Sequence, residues 1–189
     1  WMPYWLLTKK NRYVGKVAWP EEDQGKLKVA GFGMKASNTA PLSKKIQKGV
    51  FELICGGADE QAVEEFVLPI AMNVRNGEIP LADVSMKTRL GMHLKEYKVL
   101  SGASKAAAAY NENNTEKFGK GDSVPWTYIK EAPGIIAFRD PEDLEGFTLD
   151  SDTILKKMLK TKLDSIYSTL SWDLDRALGA PSPKAYGWW

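Results

Sequence analysis

The sequence holds one cysteine, Cys55, and one histidine, His93, in 189 residues. A single cysteine excludes an internal disulfide and any cysteine metal cluster, and a single histidine excludes a multi-histidine zinc site. A cysteine nucleophile with a histidine base could only be Cys55 with His93, and nothing in their spacing argues for that pair. No apolar run approaches the roughly 18–20 residues of a membrane span, so no membrane partner is expected. The opening "WMPYWLLTKK" has no basic leading segment, and its apolar part is too short for a secretory signal. A reducing compartment fits this cysteine usage, and a cytoplasmic location is the expectation. Phosphate-loop chemistry is missing too. "GFG" at 31–33 has neither the spacing nor the following Lys-Ser/Thr. No nucleophile elbow is present. The acid pairs Asp140/Asp143 and Asp173/Asp175 read as surface charges and helix caps rather than metal ligands.

What is present is an ordinary folding composition, 43% hydrophobic and 26% charged. The length allows one domain or two small ones with a real core. Net charge is only +2, but it is unevenly spread. Residues 1–58 carry a net +6, 59–84 carry −5, 85–130 carry +4 and 131–189 carry −3. Two basic blocks separated by an acidic one suggest a surface facing a polyanion, with the acids turned outward.

Tyr4–Leu7, Arg12–Trp19 and Lys26–Gly31 read as strands, and "PEEDQGK" reads as the turn that makes the second and third a hairpin. A helix follows with Thr39 or Asn38 as cap, Pro41 in its first turn and Gly56-Gly57 as its stop. Asp59 opens a second helix through about Asn76, with Val63, Phe66, Val67, Ile70 and Val74 as its apolar stripe. Pro69 is expected to kink or shift it. After a boundary near "NGEIPLADVS", "VSMKTRL" reads as extended and "SGASKAAAAYNENN" as a Ser-capped helix. "KFGKGDSVPWTYIK" reads as a turn into a strand, and "EAPGIIAFRDPEDLEGFTLD" as loop. A long helix is expected from Asp152 to its stop at Gly179. The fold class is α+β, in two parts: a strand-and-helix unit over 1–82 and a mixed, mostly helical unit over 83–189.

The segment with the clearest chemistry is "TKKNRYVGKVAW", Thr8 to Trp19, which holds four cations and no acid. On a strand, Lys10 and Arg12 would project from one face, and Tyr13 and Gly15 from the other. Cations and a phenolic hydroxyl on a sheet suit nucleic-acid phosphates.

These residues, continued by "GKLKVAGFGMKASNTAPLSKKIQKGVFELICGG", resemble the end of the palm of a family B DNA polymerase. In that family a "K-K-R-Y" strand follows the catalytic Asp-Thr-Asp hairpin. Lys10, Arg12 and Tyr13 fall on its first Lys, its Arg and its Tyr, and Asn11 stands where the family has the second Lys. "GMKASNTAP" is similar to the segment after the next strand. "SMKTRLG" resembles the basic segment of the thumb, putting Lys87 on a DNA-facing Lys. "SGASKAAAAYNEN" and "KGDSVPWTYI" resemble the thumb helix and strand of phage-like members. The resemblance covers nearly the whole chain.

The resemblance implies a last part of the palm over 1–82 and a thumb with a tail over 83–189. It implies that Lys9, Lys10, Arg12 and Tyr13 hold primer–template DNA, joined by Lys87, Lys105 and Lys120. The family's catalytic Asp-x-x-Ser-Leu-Tyr segment, its fingers Lys helix and its Asp-Thr-Asp hairpin have no counterpart in this sequence. No residue here is therefore assigned as catalytic or metal-binding. Magnesium is expected in the assembled polymerase, on a larger polypeptide carrying the fingers and the catalytic palm. Some archaeal members are split just before the "K-K-R-Y" strand. The chain reads as the small C-terminal subunit of such an enzyme, or as an excerpt with the same boundaries, from a virus or an archaeon. The aromatic end, with Tyr186, Trp188 and Trp189, is a candidate sliding-clamp peptide, although the leading Gln of such peptides is absent. A non-catalytic nucleic-acid-binding or protein-interaction module is the alternative.

Overall fold

The computed structural model describes Met2 and residues 5–180. Its first sheet has the order β1-β2-β3, with β1 at Trp5–Lys9, β2 at Arg12–Lys16 and β3 at Leu27–Ala30, all antiparallel. The register aligns Leu6 with Val14 and Val14 with Val29, so one face of the sheet carries these apolar side chains into the core. The alternate residues Trp5 and Leu7 stay 56% and 49% exposed on the other face. The expected β2–β3 hairpin is present, and a short 3-10 turn at Glu21–Asp23 occupies the turn cluster between its strands.

Helix α1, Pro41–Ile54, starts without a side-chain cap. Thr39 does not fill that role, because its hydroxyl donates to the Gly33 carbonyl at 3.1 Å and closes the loop before the helix. Ala40 takes the cap position, and Pro41 at the first helical residue has no N–H to satisfy. Helix α2, Glu60–Asn76, has the expected bounds. The Asp59 carboxylate accepts from the Ala62 N–H at 2.9 Å, and Gly77 ends the helix at a φ of 74°. The helix runs through Pro69 without ending. The short helix α3, Leu81–Val84, leads into the second sheet.

That sheet has the order β4-β5-β6: β4 at Met86–Arg89, β5 at Ser123–Tyr128 and β6 at Ile135–Ala137. The region read as loop therefore contains a strand. Its three residues are all buried, and a run that short shows no alternation to read. Helix α4, Ala103–Asn113, packs on this sheet and begins at Gly102, not at a serine cap. The Ser104 hydroxyl instead folds back, donating to the Ser101 carbonyl at 2.9 Å.

The single C-terminal helix expected from Asp152 is broken into pieces. Asp150, not Asp152, caps α5 at Ser151–Ile154, accepting from the Thr153 N–H. A π-turn follows at Leu155–Lys160, then α6 at Thr161–Leu170. Ser171 turns left-handed at a φ of 58° and stops α6. Asp173 then caps the short α7, Leu174–Ala177. At the break the Trp172 main-chain N–H donates to the Tyr167 carbonyl at 3.0 Å, and the two rings meet edge-on at 5.9 Å.

The C-terminal helices return to the first half of the chain. The Ser43 hydroxyl donates to the Met158 carbonyl at 2.9 Å, and the Gln47 amide to the Lys162 carbonyl at 3.1 Å. Arg75 donates to the Leu178 carbonyl, and Arg176 pairs with Glu60 and Glu64 of α2. Strands β1 to β3 and helices α1 to α3 thus pack with the helices after residue 150, while β4, β5, β6 and α4 pack with one another. Among the described residues no helix is long and apolar enough to cross a membrane.

Candidate nucleic-acid interface

The basic hairpin differs from a plain strand. Lys9 closes β1 opposite Arg12, and Lys10 and Asn11 form a two-residue turn between them. Asn11 has a φ of 63°, a conformation that asparagine tolerates better than lysine does. The expectation that Lys10 and Arg12 share one strand face is thereby corrected. Lys10 stands at the hairpin tip, exposed, and only Arg12 lies on β2. Arg12 is on the Val14 side of the sheet, and Tyr13 is on the side of Trp5 and Leu7. Tyr13 is half-buried between Leu7 and Ala30 of the neighbouring strands.

The other expected DNA-facing lysines lie on the second group of elements. Lys87 is exposed on β4, opposite Pro125. Lys120 is exposed in the turn that opens β5. Between them lies Arg89, which the sequence reading did not single out. It shares the Lys87 face two residues on, and its Nε donates to the Gly121 carbonyl at 3.0 Å. The period of two along "MKTR" was the signal for it. Lys105, on α4, donates to the Pro133 carbonyl at 2.8 Å and so holds the loop before β6. Lys9, Lys10 and Arg12 thus sit on the first sheet, and Lys87, Arg89 and Lys120 on the second. Tyr186, Trp188 and Trp189 lie outside the described residues.

Asp140, Asp143 and Asp173 serve in caps, while Asp175 pairs with Lys160. Asp143 accepts from the Arg139 N–H at 2.7 Å, and Asp173 from the Arg176 N–H at 3.1 Å. Among the described residues no three His, Cys, Asp or Glu side chains are grouped to hold a metal ion. Cys55 is half-buried, and burial pushes its thiol up from the ordinary range, against the opposing pull of Lys16. That direction suits an inert thiol rather than a nucleophile.

The sequence model of DNA polymerase family B matches residues 2–171. No curated protein matches the sequence significantly. Among solved structures, the family B DNA polymerase of the hyperthermophilic archaeon Pyrobaculum calidifontis is similar at a TM-score of 0.68 and 22% identity. The alignment covers 86% of this chain and 21% of that polymerase, so the chain spans about a fifth of its length. At that identity the likeness speaks for the fold, and the family match speaks for descent. The chain belongs to DNA polymerase family B.

Proposed function

We propose that this chain is the C-terminal palm-and-thumb part of a DNA-directed DNA polymerase, and that it grips primer–template DNA. The observation that carries the reading is the basic hairpin, with Lys9 and Lys10 at its tip and Tyr13 on the open face of β2, in a member of this family. Lysines at an exposed tip can neutralise backbone phosphates without reading sequence. The Tyr13 hydroxyl can donate one directed bond to a primer phosphate, which fixes the terminus rather than only attracting it. Lys87 and Lys120, with Arg89 beside them, supply the second contact, farther along the duplex. Arg12 faces away from Tyr13 and leaves the primer-facing set.

Residues 1–82 serve as palm and 83–189 as thumb in this reading, although the helices after residue 150 pack back on α1 and α2. The catalytic carboxylates and the magnesium they hold belong to another part of the polymerase. Trp5 and Leu7, exposed on the edge strand β1, face that part. The Tyr186, Trp188 and Trp189 end is the candidate tether to a sliding clamp. This chain's contribution to the reaction is positioning: it holds the primer terminus in line for attack.

Primer extension tests the reading. The 189-residue chain alone should incorporate no nucleotide. Joined to the catalytic palm, Tyr13→Phe should slow extension while leaving the melting temperature near that of the parent. Templated extension by the chain alone, or a parental rate in Tyr13→Phe, contradicts it.

A further inference from the structure

Arg12 does not point into solvent alone. It lines a cleft of about 300 Å³ between β2, the loop after β3, and helices α1 and α6. Lys162 and Ser165 of α6 line the same cleft, and no Asp or Glu does. Among the described residues no carboxylate pairs with Arg12 or with Lys162. Two like charges facing one small cleft repel each other, and an anion between them relieves that repulsion.

The floor of the cleft adds a second observation. Gln47 is 1% exposed and lines it. Its amide nitrogen is fixed on the Lys162 carbonyl, so its Oε1 is the atom left over, and that oxygen is buried with no donor. A buried acceptor left unmet is costly, and a ligand that supplies its donor removes that cost. A ligand here must therefore bring anionic oxygens for the two cations and one donor for Gln47. At Gly31, with a φ of 76°, a Cβ would meet the Asn11 main-chain carbonyl first and the Arg12 Cγ next, so glycine there lets the loop after β3 lie close against the hairpin that carries Arg12. The π-turn ends where the cleft begins: the Thr161 N–H reaches back five residues to the Lys156 carbonyl. Such turns are uncommon and concentrate at functional sites.

We propose that this cleft binds a phosphate group that carries a P–OH or sits beside a hydroxyl. Arg12 and Lys162 take the anionic oxygens, Ser165 donates a third bond, and Gln47 Oε1 accepts from the ligand. The site is on the opposite face of β2 from Tyr13, so it stands independently of the primer-grip reading. The phosphate is a free or terminal monoester, because a DNA backbone phosphodiester carries no P–OH to donate to Gln47.

The test is a titration of the isotope-labelled 189-residue chain, followed by NMR at the amides of Gly31 and Gly33 and the side-chain amide of Gln47. Inorganic phosphate should give saturable shifts at all three. Sulfate, with no proton to donate, should bind more weakly. Lys162→Gln, half-buried and outside the core, should bind phosphate about tenfold more weakly without changing the melting curve. Arg12→Gln should do the same. The dinucleotides pTpT and TpT separate the sources. Competition by pTpT alone supports the proposal, and equal competition by both overturns it. The proposal is overturned if these amides do not shift, if both variants bind phosphate as the parent does, or if sulfate binds equally well.

Discussion

The Gln47 side chain and the Lys162 main chain, 115 residues apart in sequence, are joined by a hydrogen bond of 3.1 Å. One helical turn earlier, Ser43 makes the equivalent bond to Met158 at 2.9 Å. Both α1 side chains are buried, at positions i and i+4 of one helical face. They supply donors to carbonyls in and just after the π-turn, where the regular ladder is interrupted. The return of the C-terminal helices to the first half of the chain therefore rests on polar bonds as well as on apolar packing.

Ser43→Ala should destabilise the chain by about 1–3 kcal/mol, because it leaves the buried Met158 carbonyl without a donor. Urea unfolding should show a lower midpoint at unchanged slope. Lys48→Ala, which loses only an exposed pair with Glu52, should shift the midpoint by little.

Gly49 offers a test of packing against helix propensity. Alanine is favoured over glycine in a helix interior by about 1 kcal/mol. A Cβ at Gly49, however, would run into the Phe66 ring of α2. Gly49→Ala should therefore destabilise, by roughly 1–3 kcal/mol of overpacking. Adding Phe66→Leu should recover part of the loss, and a stabilising Gly49→Ala would refute the close approach of α1 and α2.

Acid should loosen the junction between the second sheet and α5. The Glu131 carboxylate accepts from the Thr148 N–H at 3.0 and 3.2 Å, and this bond holds its carboxyl below the usual range. For Asp150, burial pulls upward, but the bonds from Thr153 outweigh it and the net shift is downward. A depressed folded-state carboxyl stabilises above its unfolded value and loses that contribution as pH falls through the folded one. Carboxyl NMR titration should find both groups below ordinary glutamate and aspartate values. Amide exchange at Lys130, whose N–H is bonded to the Thr148 carbonyl, should rise as they protonate. Ordinary values for both carboxyls would remove the effect.

Much of the local structure was legible in the sequence because its signals are local. The bounds of α2 follow from the Asp59 cap and the Gly77 stop, and the β2–β3 hairpin follows from its turn cluster. What was not legible depends on contacts far along the chain or on too few residues. Thr39 looked like a cap until Gly33 supplied a closer partner for its hydroxyl. Ile135–Ala137 is too short for a period. The break at Ser171, where Trp172 turns back on Tyr167, lies inside a pattern that reads as continuous helix. In the candidate interface the basic residues were visible, but their faces were not. The two-residue turn at Lys10–Asn11 shifts Lys10 off the strand and leaves Arg12 facing the helices.

The central claim is that this chain holds duplex DNA through backbone phosphates at its hairpin tip and on β4. The most direct measurement is the affinity of the 189-residue chain for a primer–template duplex across a range of salt, for the parent and for Lys9→Ala, Lys10→Ala and Lys87→Ala. Each lysine that meets a phosphate should contribute about 0.9 to the slope of log affinity against log salt. Each variant should therefore bind more weakly, lose about one unit of slope, and show the same change on unrelated sequences. Parental affinity and slope in all three variants would contradict the account.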